Sequence, residues 1–329
     1  MPKRIYGAFS CLNRQLKKGV ISVKAAGMKK LKKEWHRDWQ LLVMALPGLA
    51  WVIVFCYAPM YGIQLAFKDY DFTKGLTGGD WAGLKYFMQY FTSPMFETTM
   101  RNTFVIAFVS ILVGFPLPIV LALAINQLKK GAPRKVLQTT VYMPYFISTV
   151  VMVAMLNIMC APSGVVTNLL KALHIIGEDV NLLGNTRTFV PLYVFSGVWQ
   201  SCGWNSIIYI AALSGVNTEL YDAAKVDGAS RWQMIRHVEL PALVPTIIII
   251  LILSMGGILS VGFEKTYLMQ NPLNLGASEV IQTYVYKVGV QSNQISFSTA
   301  VGLFNNVINF VCLIVVNTIA KKKADISLM

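Results

Sequence analysis

The chain has 329 residues, of which 55% are hydrophobic and only 13% are charged, and its formal net charge is +14. Since about a quarter of the residues in an ordinary soluble domain are charged, this composition excludes such a domain and predicts one integral membrane domain. The five cysteines include no C-x-x-C pair, so the sequence supports neither a disulfide framework nor a cysteine metal site.

The N-terminal segment, residues 1–40, is strongly basic and holds eleven of the lysines and arginines. It has no apolar stretch followed by small residues, and so it differs from a signal peptide. We interpret it as a cytoplasmic segment that lies against anionic lipid. It also lacks aromatic residues interleaved on a folded platform, so nucleic acid is not predicted as a partner.

Six apolar runs follow, and each has about the 20 residues that a helix needs to cross a membrane. They are Leu41–Phe67, Asn102–Ile125, Val136–Cys160, Phe189–Val216, Ala242–Gly262 and Ser298–Ala320. The segments 1–40, 126–135, 217–241 and 321–329 together hold 21 of the 29 Lys and Arg residues. Because basic loops stay in the cytoplasm, the sequence predicts an all-α polytopic membrane protein with six transmembrane helices within residues 41–320 and both termini inside.

The interiors of the six runs contain no Asp, Glu, Lys, Arg or His. Ionisable groups within a membrane are costly and mark proton relays and ion pathways, so their absence argues against a proton-driven transporter. It also argues against a membrane hydrolase, which needs paired carboxylates, histidines or metal ligands. No G-x-x-x-x-G-K-[ST] phosphate loop occurs, so hydrolysis of ATP by that route is excluded as well.

Three longer segments, residues 68–101, 161–188 and 263–297, connect the runs on the predicted outer face. The first contains glycines that indicate turns and aromatic residues typical of a packed cap or an interfacial belt. The sequence EVIQTYVYKVG in the third predicts a short helix that lies on this face or dips into it. Basic and acidic residues are equally numerous in the three segments, so no net attraction for an anion is predicted.

A polar segment, Asn217–Pro241, separates the fourth and fifth runs and reads NTELYDAAKVDGASRWQMIRHVELP. We call it the polar hairpin. Asn217 or Thr218 is suited to cap a first helix, whose first turn carries Glu219 and Asp222 and thereby complements the positive helix end. Helices this polar cannot lie in hydrocarbon and must meet water or a partner protein.

The turn of the polar hairpin also has a clear residue pattern. Gly228 supplies a left-handed stop for the first helix. Ser230 and Gln233 predict a capping box that opens a second helix, and this helix is expected to end at Leu240–Pro241. On physical grounds alone, a docking surface and an ordinary amphipathic connection are equal alternatives for this segment.

The polar hairpin resembles the coupling motif of ABC importer permeases, E-A-A-x-x-x-G followed by nine residues and I-x-L-P. Here an aspartate replaces the glutamate, and the form Y-[DE]-A-A-x-x-D-G-A-x-x-W is similar to that of the carbohydrate-uptake branch. The stretches LPGLAWVIVFCYAPMYGIQLAFKDYDF and TYVYKVG resemble the LplB-type permeases for complex oligosaccharides. The resemblance assigns coupling to an ATPase to the following residues: Tyr221, Asp222, Ala223, Ala224, Asp227, Gly228, Ala229, Leu240 and Pro241.

The resemblance implies the type I importer permease fold, called MetI-like, in a bacterial inner or plasma membrane. It implies a heterodimer with a second permease subunit and a separate ATPase dimer on which the polar hairpin docks. ATP and Mg²⁺ bind to that ATPase, so no cofactor is expected on this chain. An extracytoplasmic binding protein delivers a carbohydrate, preferably an oligosaccharide, and the bundles rock about the site to alternate its access.

In this family the helices beside the coupling motif line the path of the cargo. The resemblance therefore implies that the segment SGVWQSCGWNSIIYI in the fourth run lines this path. Gly197, Gln200, Ser201 and Trp204 share one helical face there. A sugar presents hydroxyl groups and apolar C–H faces. An amide, a hydroxyl and an indole are therefore suitable partners for it.

Two further residues complete the predicted substrate path. Asn205 lies at another angle of the fourth run, and Ser254 belongs to a less polar stripe in the fifth. The alternative is that Gln200 and Ser201 bond to neighbouring helices while the indole fills space. Bonding between helices is also the preferred interpretation of three asparagines in the last run, Asn305, Asn306 and Asn309.

Other functions remain open at this point. An ATP-independent channel or facilitator would have the same spans but would not depend on Asp222 and Gly228. An ABC importer for a non-sugar solute would share the coupling motif, and a membrane enzyme is a more distant alternative. The sequence distinguishes neither the sugar nor whether it is acidic or neutral.

Overall fold

The computed structural model describes residues 39–324 apart from 42, 76, 77, 130, 178 and 179. The chain divides into two compact units, residues 1–63 and residues 64–329. The described parts are helical, with one isolated bridge between Lys68 and Trp81, which confirms the all-α prediction. Nearly all of the basic segment 1–40 and the last residues of the tail lie outside the described residues.

Helix α1, Trp39–Phe67, begins in the first unit. Its α-helical part leads into a π-helical turn, Ile53–Tyr57, and then into a 3-10 helix, Ala58–Phe67. Almost every described side chain of α1 up to Ile63 is exposed, although most of them are apolar. Such a surface suits contact with lipid or with another membrane protein.

The second unit contains the remaining helices. The first seven are α2 Lys85–Phe91, α3 Pro94–Gly114, α4 Pro116–Asn126, α5 Ala132–Tyr142, α6 Thr149–Met159, α7 Val165–Ala172 and α8 Thr186–Ser214. The next seven are α9 Thr218–Val226, α10 Arg231–Met234, α11 Leu240–Met255, α12 Phe263–Met269, α13 Leu275–Ser278, α14 Ile281–Tyr286 and α15 Ile295–Ala324. Short 3-10 or π-helical segments follow three of them, Met143–Phe146, Ile235–Glu239 and Lys287–Gln291.

Within the described residues, four helical stretches are long and apolar enough to cross a membrane. They are Trp39–Phe67, Pro94–Asn126, Arg231–Met255 and Ile295–Lys322. Ala132–Phe146 and Thr149–Met159 meet at 94° and make a fifth stretch if they form one broken span. Helix α8 coincides with the fourth predicted run and has 29 residues, but its polar side chains keep it outside this set. Six spans and two cytoplasmic termini therefore stay predictions.

The fifth predicted run is wrong at its outer end. It was expected to continue to Gly262, whereas α11 stops at Met255. Gly256 lies against the last helix, since a Cβ there would be 2.7 Å from the Leu313 side chain. The N–H of Leu259 in the turn beyond donates to Asn309 Oδ1 at 2.9 Å, so an asparagine of α15 replaces the missing helical acceptor.

Helix α8 lies at the centre of the second unit and packs against α3, α4, α5, α11 and α13. One cluster of buried side chains joins it to α3, α6 and the segment after α11, and another joins it to α4 and α11. The predicted helix in EVIQTYVYKVG forms as α14. Its Ile281 is buried with Tyr90 and Phe297 rather than exposed at the surface.

Candidate functional site

The helices around α8 enclose a cavity of ≈ 800 Å³. Its walls come from α3, α4, α8, α11 and α12, and α8 contributes most of the lining. All five residues of the predicted substrate path line this cavity: Gln200, Ser201, Trp204, Asn205 and Ser254. Asn205 does so although helical spacing placed it at another angle, because the cavity extends around more of α8 than one stripe.

Some polar groups of the cavity are already bonded within the chain. The side-chain amide of Gln200 donates to the carbonyl of Ile147 at 2.8 Å, which is the interhelical bond that the alternative interpretation required. Ser201 donates to the Gly197 carbonyl at 2.7 Å, one turn earlier in its own helix. These bonds hold the side chains in place, and the hydroxyl and amide oxygens keep lone pairs that a ligand can use.

Trp204 is held by aromatic neighbours. Tyr145 stacks on it with ring centroids 4.5 Å apart and an angle of 4° between the planes, and Phe146 meets it edge-on. The indole is nevertheless 40% exposed. It therefore presents a rigid apolar surface to the cavity. Because the ring is already held in place, binding of a ligand to it costs little side-chain conformational entropy.

The structure adds a charged residue that sequence reasoning missed. Lys265, on α12, lines the cavity and is 8% exposed. Its ammonium donates to the carbonyl of Tyr193 on α8 at 2.5 Å and lies 4.3 Å from the centre of that tyrosine ring.

The sequence had placed Lys265 in an outward loop, where its charge was balanced by acidic residues. The charge count did not show that Lys265 is buried, and this burial results because α12 folds back against α6 and the central helices. The six runs are free of charge as predicted, but the cavity is not. The short, largely apolar segment FEKTYLM was the only signal in the sequence that could have suggested this return.

The polar hairpin has the caps that its residues predicted. The side chain of Asn217, rather than Thr218, accepts from the N–H of Glu219 at 3.0 Å. Ser230 and Gln233 form the reciprocal capping box.

The turn of the hairpin is a Schellman motif. Gly228 has a φ of 73°. Its N–H donates to the carbonyl of Lys225, and the N–H of Ala229 donates to the carbonyl of Ala224 at 2.9 Å. A Cβ at this glycine would meet no atom within 4 Å, so the requirement for glycine comes from the backbone angle alone.

The predicted end of the second hairpin helix is wrong. Residues Arg231–Met255 form one continuous helical stretch that passes through Leu240 and Pro241. The segment Ile235–Glu239 before the proline is π-helical. A proline lacks an N–H and its ring crowds the carbonyl four residues earlier, and a π-helical turn accommodates both effects without ending the helix.

The hairpin exposes the residues that the coupling motif singles out. Asp222, Ala223, Asp227 and Gly228 are exposed, as are Leu240 and Pro241, while Tyr221, Ala224 and Ala229 are half-buried. Large apolar side chains are exposed beside them: Leu220 by 54%, Val226 by 87% and Trp232 by 70%. A polar hairpin that leaves such groups in water has the surface of a protein-binding site.

A buried carboxylate beneath the hairpin is a second feature that sequence reasoning missed. Glu239 is 1% exposed and accepts from the side-chain amides of Asn126 at 2.7 Å and Gln127 at 3.0 Å, both at the end of α4. The phenol of Tyr221 on α9 lies 3.5 Å from the same Asn126 amide. Burial raises the pKa of Tyr221, and the charge of Glu239 raises that pKa further. The network therefore ties both arms of the hairpin to α4.

Comparisons with known proteins agree with this arrangement. The sequence profile of the family described as binding-protein-dependent transport system inner membrane component matches residues 114–325. The polygalacturonan/rhamnogalacturonan transport system permease protein YteP of Bacillus subtilis is 39% identical over 86% of this chain and 88% of its own length. Protein LplB of the same organism is 38% identical over 87% of this chain and 90% of its own length.

Solved structures give the same result. A chain of a bacterial ABC transporter involved in the import of the acidic polysaccharide alginate has a TM-score of 0.81 and 38% identity, over 90% of this chain and 99% of that one. The same transporter has been crystallised with an alginate pentasaccharide-bound periplasmic protein, and its matching chain has the same TM-score and identity. These matches confirm the resemblance found in the polar hairpin, the membrane location, and a transport subunit rather than an enzyme. The chain belongs to the family of binding-protein-dependent transport system inner membrane components, the permeases of ABC importers.

Proposed function

We propose that the chain is one permease subunit of an ATP-driven importer that takes up an oligosaccharide delivered by an extracytoplasmic binding protein. The observation that carries the cargo assignment is the chemistry of the cavity, in which an indole face, amides and hydroxyls line one space. These groups match the apolar faces and hydroxyls of a sugar. The polysaccharides in the names of YteP and of the alginate transporter support the same class.

In this proposal the chain crosses the membrane six times, and α8 is the fourth span. Both termini and the polar hairpin are cytoplasmic, as the distribution of basic residues favours. The domain organisation is then a basic segment 1–40, a membrane domain 41–320 with the hairpin 217–241, and a basic tail 321–329. The broken second and third spans, at Phe115 and near Ile147, provide places where helices bend as access alternates.

Coupling occurs at the exposed surface of the polar hairpin. Asp222 and Asp227 supply charge, Ala223 and Gly228 permit close approach of another backbone, and Val226 contributes an apolar contact. Tyr221 links this surface to the Glu239 network. Leu240 and Pro241 begin α11. One continuous helix therefore transmits a displacement of the hairpin to Ser254, which lines the cavity.

The other functions reside on partner chains. A second permease subunit completes the translocation path, and an ATPase dimer binds ATP and Mg²⁺. The binding protein loads the sugar from outside, and membrane lipid surrounds the exposed apolar helices. Among the described residues, no group of three or more His, Cys, Asp or Glu side chains is placed to hold a metal ion.

The test is to change Asp222 and Gly228 in the assembled importer reconstituted in proteoliposomes. Gly228→Val forces a β-branched residue into a left-handed angle, whereas Gly228→Asn keeps a residue that tolerates it. We expect Asp222→Ala and Gly228→Val to lower ATP-driven uptake about tenfold or more while the ATPase becomes uncoupled, and Gly228→Asn to retain most uptake.

The control is Lys135→Ala, which removes an exposed charge of α5 outside the polar hairpin and should leave uptake unchanged. Uptake that persists in the Asp222 and Gly228 variants without ATP would indicate a channel and contradict the proposal. Uptake of amino acids or peptides in place of any sugar would contradict the cargo class and leave the ATP coupling intact.

A further inference from the structure

We propose that the ammonium of Lys265 binds a carboxylate of an acidic sugar and is the specificity-determining group of the cavity. The inference rests on the proposed function, since it assumes that this cavity carries an oligosaccharide. It goes further by naming the chemical class of that sugar, a uronate-containing oligomer, and the residue that recognises it.

The position of the ammonium is the first argument. Lys265 approaches α8 opposite Gly197, where a Cβ would lie only 3.0 Å from its Nζ. Glycine at this position therefore leaves the space that the ammonium occupies. An ammonium has three donors, and in the described part of the structure one of them is used, by the Tyr193 carbonyl. The remaining donors lie at the cavity wall.

The missing counter-charge is the second argument. No carboxylate of the described residues lies within 4.0 Å of the Lys265 ammonium. Lys287 differs from Lys265 in this respect, because it is paired with the buried Glu279. Burial without such a partner lowers the pKa of Lys265 to about 7. A carboxylate in contact favours the charged form again, so an acidic ligand supplies the counter-charge that the described residues do not.

The register along α8 is the third argument. Gly197 stands on the same helical face as Gln200, Ser201 and Trp204, and at 1.5 Å per residue this face extends about 10 Å from the ammonium to the indole. A carboxylate held at Lys265 therefore places the neighbouring sugar units beside the hydroxyl, the amides and the indole. A neutral sugar offers the ammonium only hydroxyl oxygens and no charge that compensates for its burial.

A second cavity supports an acidic cargo independently. It measures ≈ 430 Å³ and lies between α3, α8 and the glycine–alanine pair of α13. Arg101 and Arg187 both line it, and neither has a carboxylate within 4.0 Å among the residues described. Helices α3 and α8 also line the larger cavity, so two guanidinium groups stand nearer the predicted outer ends of the same two helices. Such groups concentrate anions at a cavity.

The experiment uses the purified, assembled importer in detergent, without its binding protein. Direct binding is measured for oligogalacturonate and oligoalginate and for neutral oligomers made by reducing their carboxylates. We expect the wild type to bind each charged oligomer about tenfold or more tightly than its neutral counterpart. Lys265→Met should remove this difference by lowering the affinity for the charged oligomer far more than that for the neutral one, while Lys265→Arg should keep most of the difference.

The matched control is Lys85→Met, which removes an exposed lysine paired with Asp69 and should leave the difference intact. An equal loss of both affinities in Lys265→Met would assign the lysine a structural role, and no loss at all would also overturn the inference. Wild-type preference for neutral oligomers would overturn it while the proposed function stands. Failure of proteoliposomes with the binding protein to take up the charged oligomers would also overturn the inference, whereas the absence of ATP-driven uptake of any oligosaccharide would reject the proposed function.

Discussion

A Cβ on Gly203 of α8 would lie 1.9 Å from the carbonyl oxygen of Val141 on α5. At this position the two helices pack backbone to backbone, as small residues allow in membrane proteins. The neighbouring Ser206 donates to the Gly203 carbonyl and is fully buried. One missing side chain thus determines how closely α5 approaches the helix that carries the cavity.

We predict that Gly203→Ala destabilises the permease by about 1–3 kcal/mol, because the methyl group meets backbone that cannot rotate away. Thermal unfolding of the assembled importer in detergent measures the effect. Gly302→Ala is the control, since that glycine also lies within a helix, α15, and has no atom within 4 Å of its Cβ position. It should be neutral or slightly stabilising. Equal melting temperatures for both variants would contradict the packing argument.

At the scale of elements, the polar hairpin is connected to the membrane helices in two ways. Its second arm continues as α11 through a π-helical turn. Its two arms also meet α4, because Tyr221 and Glu239 both accept from the Asn126 amide and Glu239 also accepts from the Gln127 amide. A movement of the hairpin therefore reaches α4 and α11 together, and both helices line the cavity.

We predict that Glu239→Leu lowers the free energy of unfolding by about 1–3 kcal/mol, because two amides lose their acceptor. It should also lower the number of sugar molecules taken up per ATP hydrolysed, measured in proteoliposomes. Glu239→Gln keeps one acceptor oxygen and should lose less on both measures. An unchanged transport ratio in Glu239→Leu would show that the network only stabilises the fold.

At the scale of the whole molecule, the distribution of basic residues predicts which face is cytoplasmic. Asp227 and Glu97 are exposed residues that the prediction places on opposite sides. In a variant whose five native cysteines are replaced, Glu97→Cys should react with a membrane-impermeant maleimide in intact cells. Asp227→Cys, in cells that express the permease without its ATPase, should react only after the membrane is permeabilised. The reverse pattern would contradict the topology.

The sequence by itself determined the features that depend on neighbouring residues. Hydropathy predicted the four helical stretches that are long and apolar enough to cross a membrane, because a span needs only a long apolar stretch. The caps at Asn217 and Ser230 and the stop at Gly228 were predictable, because each satisfies backbone groups within a few residues of itself. The polar face of the fourth run likewise indicated that Gln200, Ser201 and Trp204 lie together, since helical periodicity places them on one side of α8.

Only the tertiary structure decided the features that depend on residues far apart in the chain. Lys265 is 72 residues from the Tyr193 carbonyl that it binds, and Glu239 is 113 residues from Asn126. A charge count along the sequence treats both as ordinary loop residues, because burial depends on which helices surround a side chain. The end of α11 at Met255 could not be predicted for the same reason. An asparagine of α15, Asn309, accepts from the Leu259 N–H in the turn that follows.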